Sequence, residues 1–139
     1  MARRPPGQVR VNLPRRLRPG QGRTIVSGVS ARAQSEIAKF EDACLWPAAI
    51  ADAVMRWSGT VHGPARSLTV PEFRGCGVEA CCPPDTHPRK LLAQALRGLP
   101  PSGSRELRRL VQPLDDLYCS RTIVDSYADP SDAWWLRRC

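Results

Sequence analysis

Apolar residues recur at helical spacing in four stretches of the chain. Ser30 suits a helix N-cap, and after it Ile37, Phe40 and Cys44 fall on one face at three- and four-residue intervals. This spacing predicts a helix over residues 31–45 with Cys44 turned to the core. Pro47 interrupts the pattern, and beyond it Ile50, Val54 and Trp57 form a stripe rotated from the first. Proline starts a helix well at its first position and kinks one in its interior. The change of face therefore predicts a second helix over 47–57, ended by Ser58 and Gly59. A third is expected with Pro88 in its first turn and Asp85 or Thr86 as cap. Leu91, Leu92, Ala95 and Leu96 would be its apolar side, with Gly98 and Pro100 as its stop. A last helix is expected after Ser102 or Ser104. Leu107, Leu110, Val111, Leu114, Leu117 and Tyr118 keep a helical period, and Pro113 should bend or divide them. Trp134 and Trp135 are expected to pack back onto the helices, because aromatic side chains bury large areas.

The intervening stretches read differently. Residues 60–85 are rich in turn and breaker residues, among them Gly63, Pro64, Pro71, Gly75, Gly77, Pro83 and Pro84. One short strand over 67–70 is conceivable there, with 9–13 or 24–26 as its partner. Residues 1–23 hold four prolines, three glycines and few apolar side chains, a composition expected to stay disordered or extended until bound. The expected fold class is mainly α: a small bundle of three or four short helices over residues 24–139. It follows a disordered basic arm over residues 1–23 and carries a long Pro/Gly/Cys-containing loop. At 139 residues the chain has a one-domain length.

Charge sharpens this division. Arg3, Arg4, Arg10, Arg15, Arg16, Arg18 and Arg23 give the arm +7 with no acidic residue. Residues 24–139 carry 14 basic and 13 acidic side chains, so the body is close to neutral. Such asymmetry points to nucleic acid or an acidic protein surface as partner, with the seven arginines as the candidate nucleic-acid-binding residues. A blander reading stands beside it. The basic residues are 19 Arg and 2 Lys amid abundant Ala and Pro, the bias that GC-rich bacterial coding produces.

The loop raises a second candidate. Cys76, Cys81, Cys82 and His87 are the ligand types and number of a tetrahedral zinc site, which would staple a body with a thin core. His62 is a candidate replacement ligand. The spacing argues the other way: there is no C-x-x-C pair, and the side chains of adjacent cysteines diverge. Ordinary free thiols of a tight loop are the favoured reading, with zinc as the alternative cofactor.

Function classes narrow accordingly. The chain has no Walker A loop, G-x-G-x-x-G or H-E-x-x-H motif, and its histidines are two, so no enzyme is expected. No small-molecule substrate is evident. Asp115, Asp116, Asp125, Asp129 and Asp132 read as solvated surface more readily than as a cation site. No membrane span and no secretory signal are visible, so the expected location is the cytoplasm. Arg105, Arg108, Arg109 and Gln112 lie opposite the leucines of the last helix. Asp115 and Asp116, read onto the same polar side, would repel phosphate there. A long connector, read over 98–104, also argues against a helix-turn-helix. The leading expectation is a non-enzymatic accessory or regulatory protein that binds nucleic acid weakly through its arm. The alternative is a protein-interaction module, with or without zinc.

Overall fold

Helix α1, Ala31–Cys44, begins at Ser30, whose hydroxyl accepts a 3.2 Å hydrogen bond from the Ala33 N–H and so satisfies one of the orphan donors of the first turn. The computed structural model describes residues 24–65, 68 and 88–139. The arm therefore lies outside the described residues, as do the stretch 9–13, all but Leu68 of the candidate strand 67–70, and the Asp85 or Thr86 cap. Helix α2 is Ala49–His62, α3 is Pro88–Gly98 and α4 is Pro101–Arg121; a 3-10 turn, Trp134–Arg137, closes the chain. Four packed helices with no sheet among the described residues bear out the mainly α expectation. Residues 24–26 form no strand.

Helix α2 packs mainly on α3, and α1 mainly on α4. Where the helices meet, Ile37, Ile50, Trp57, Val61, Leu92, Leu107 and Val111 are fully buried. Each such side chain contributes about 1.5–3 kcal/mol of transfer free energy. Leu91, Leu92 and Ala95 are buried as their spacing predicts, and Leu96 is half-buried.

Four local expectations are corrected. Helix α2 does not stop at Ser58 and Gly59. Val61 is buried one turn further on, and its contacts outweigh the roughly 1 kcal/mol that a helical glycine costs relative to alanine. Nor does Pro47 start that helix. Ala48 precedes it in the left-handed region (φ 65°), and the Glu41 carboxylate accepts from the Ala48 and Ile50 N–H groups at 3.0 and 2.9 Å. Glu41 is itself buried, so a charged side chain serves as the cap where a negative group is favoured. Cys44 is exposed: the inward face of α1 is Ala33, Ile37 and Glu41, and the helix has run past the core by its last residue. Helix α4 starts at Pro101 and runs unbroken through Pro113. Pro101 sits in the first turn, where its missing N–H breaks no helical bond, and the exposed Pro113 opens its gap towards water. The connector between α3 and α4 is thus Leu99 and Pro100. The Phe40 ring lies so close to Gly98 that any Cβ there would overlap it.

Beyond α4 the tail turns back. The Ile123 and Cys139 backbones exchange hydrogen bonds at 2.8 and 3.0 Å, and the Asp125 N–H donates to the Arg137 carbonyl at 2.8 Å. Arg138 donates to the carbonyls of Cys119 and Thr122 at 2.9 and 2.7 Å, capping the C-terminus of α4. Arg121 caps α2 in the same way, through the Val61 carbonyl.

Candidate functional site

The densest polar cluster joins α2, α3, α4 and the tail. Asp115 is buried and accepts from Arg89 Nε at 2.9 Å, Arg89 Nη2 at 2.8 Å and Trp57 Nε1 at 3.0 Å. The Arg89 guanidinium carbon lies 4.8 and 5.4 Å from the ring centroids of Trp135 and Trp134. Its Nη1 has no hydrogen-bond acceptor among the described residues, and the indole rings lie over the guanidinium. Trp134 also packs edge-on to Tyr118, whose hydroxyl donates to the Trp135 carbonyl at 2.9 Å. The tryptophan pair packs back as expected, and the buried ion pair is what it packs on.

This geometry corrects the placement of Asp115 on the polar side of α4. Gly103, Leu107, Val111, Asp115 and Tyr118 make up the buried stripe of the helix. The periodicity held this signal, since Asp115 stands four residues from Val111 and three from Tyr118. A charged side chain on a core stripe is read outward unless its buried cation is known, and Arg89 sits 26 residues away in another helix.

Beside the pair lies a cleft of about 170 Å³ lined by Arg89, Leu96, Arg108, Val111, Gln112 and Asp115. The charges at its base neutralise each other. Arg108 and Gln112 are exposed at its rim.

A second polar link ties the start of the described chain to α4. Glu106 accepts from the Ser30 N–H at 2.6 Å and from the Ser30 hydroxyl at 2.8 Å. A side chain added at Gly28 would meet Leu110, so residues 28–30 run against one turn of α4. The backbone and hydroxyl hydrogen bonds from Ser30 hold the Glu106 carboxyl below its ordinary value, with a smaller attraction from Arg109. A depressed carboxyl stabilises the fold fully above its unfolded value near 4.5 and loses that contribution as pH falls through the folded value. Ser30→Ala removes the α1 cap and the hydroxyl half of this link, and keeps the backbone N–H half. Loss of the cap should lower stability at neutral pH by about 0.5–2 kcal/mol in thermal melting, and with one of the two Ser30 bonds to Glu106 gone the variant's melting temperature should fall somewhat less steeply than the parent's below pH 4.5.

The sequence-predicted sites fare unevenly. Arg3, Arg4, Arg10, Arg15, Arg16, Arg18 and Arg23 lie outside the described residues, as do Cys76, Cys81, Cys82 and His87. His62 is exposed. Its Nδ1 is 2.9 Å from the Ser58 carbonyl and 3.3 Å from the Ser58 hydroxyl, and an Nδ1 that donates to the carbonyl has no lone pair with which to activate that hydroxyl. Asp125 and Asp129 accept from backbone N–H groups two residues on, as turn carboxylates do. Among the described residues no cluster of three or more metal-ligating side chains forms. None of the described helices is long and apolar enough to cross a membrane. No protein-family model matches the chain, and neither a curated protein nor a solved structure matches it.

Proposed function

We propose that the protein is a non-enzymatic accessory or regulatory factor that binds nucleic acid through arm residues 1–23, with the helical body as its carrier. The observation that carries this reading is the partition of charge, +7 on the arm against +1 on residues 24–139. An arm of this kind contacts phosphates and gains affinity from released counterions, with little base selectivity. Within the body, by contrast, Arg89 pairs with Asp115, and Arg121 and Arg138 cap helices. Fluorescence anisotropy with a labelled 20-base-pair DNA or RNA duplex, comparing the full chain with residues 24–139, tests it. At 50 mM salt, removal of the arm should weaken binding by at least about 100-fold. Equal affinity of the two chains would sink the arm as the binding element.

One observation favours a second reading, a protein-interaction module. Ile123, Val124 and Tyr127 are 72%, 67% and 97% exposed on the tail. Apolar side chains grouped in one short segment suit a protein partner. On that reading a variant with serine at all three positions loses its protein partner and keeps its nucleic-acid affinity.

A further inference from the structure

The described arginines sort into distinct groups. Arg89, Arg121 and Arg138 bond within the fold, and Arg32 and Arg56 pair with Glu36 and Asp52 one turn away. Arg137 is half-buried in the tail. Four others, Arg97, Arg105, Arg108 and Arg109, are exposed and make no hydrogen bond or ion pair with a described residue. Three of these four stand on one outward stripe of α4.

Two structural facts bear on that stripe. First, one of the two acidic neighbours that argue against it in the sequence is removed from it and the other lies further along the helix. Asp115 is buried and paired with Arg89. Asp116 accepts from Gln112 at 2.9 Å and stands seven residues beyond Arg109, about 10 Å along the helix axis and close to one Debye length at physiological salt. Second, residues 28–30 are fixed to the same helix. Ser30 is bonded to Glu106, which lies between Arg105 and Arg108 in sequence, and Gly28 rests against Leu110. The chain just before α1 is thus held beside the three arginines at residues 28–30.

We propose that Arg105, Arg108 and Arg109 form a second phosphate-binding surface, on the folded body, that adds to the arm. The inference rests on the arm reading above and adds a surface on the folded body to it. The ligand class is the sugar-phosphate backbone. The stripe presents charge without a groove-reading array, so base specificity is not expected from it.

The test uses the full-length chain and the salt dependence of its affinity for a labelled 20-base-pair DNA duplex. Each phosphate neutralised contributes about 0.9 to the slope of log K against log salt. The triple change Arg105→Gln, Arg108→Gln, Arg109→Gln should flatten the slope by about 2.7 and weaken binding on the order of 100-fold at 0.1 M salt. The charge-keeping triple Arg→Lys variant should retain the parent slope, which separates lost charge from lost fold. A full-length variant with all seven arm arginines changed to Gln should keep a shallow slope of about −2.7 from the stripe alone. If the Gln triple keeps the parent slope while the arm variant loses its own, the stripe proposal is overturned and the arm reading stands. If the arm variant binds like the parent, the arm reading fails, and a joint surface fails with it.

Discussion

Asp115→Ala is expected to remove about 3–5 kcal/mol of folding stability, a large share of the roughly 5–15 kcal/mol that holds a domain together. The carboxylate accepts from both Arg89 and Trp57 in a site closed by Trp134 and Trp135. Its removal takes the counter-charge from the buried Arg89 guanidinium and the Asp115 acceptor from the buried Trp57 indole N–H. Arg89→Leu should cost a similar amount from the other side by stranding the carboxylate. The pair itself is not a large net source of stability, because both ions lose hydration on burial. The double variant Arg89→Met, Asp115→Leu should therefore cost less than either single change, with the lost Trp57–Asp115 hydrogen bond as its main remaining penalty. Denaturant unfolding of the four proteins measures this. A double variant as unstable as the sum of the singles would contradict the account.

Trp57→Ala is expected to cost about 3–5 kcal/mol. The indole is 2% exposed, its ring centroid lies 5.0 Å from that of Tyr118, and its Nε1 donates to Asp115. Three losses coincide: buried apolar area, a cavity beside α3 and α4, and one donor to a buried carboxylate. Trp57→Phe keeps most of the area and loses the donor, so it should cost about 1–3 kcal/mol. Because Trp57 and Asp115 share a bond, their effects should be less than additive by 0.5 kcal/mol or more. The same denaturation series reads both results.

Much of the fold is legible in the residue pattern because apolar spacing records burial directly. Leu91, Leu92 and Ala95 on α3, and Leu107, Val111 and Tyr118 on α4, fall where their periods place them. What escapes the pattern is polar residues doing apolar work. Glu41 occupies a core position of α1 because two backbone donors of α2 await it there. Asp115 does so because Arg89 meets it from α3. A partner in another element leaves no trace in local spacing. The breakers mislead for a related reason: Gly59, Pro101 and Pro113 carry costs that tertiary contacts or solvent exposure offset. The candidate site shows the same division. The arm's charge is plain in the sequence, whereas the fastening of residues 28–30 to α4 through Glu106 and Leu110 is a product of folding. The cysteine-rich stretch with Cys76, Cys81, Cys82 and His87 lies outside the described residues.

The central claim is that the charge of residues 1–23 acts by displacing counterions from nucleic acid. The affinity of the intact chain for a mixed-sequence duplex, followed from 50 to 300 mM salt, tests it most directly. Seven arm contacts predict a slope of log K against log salt of about −6, and participation of the α4 arginines makes it steeper. A slope flatter than about −2, or no binding at 50 mM salt, would contradict the account.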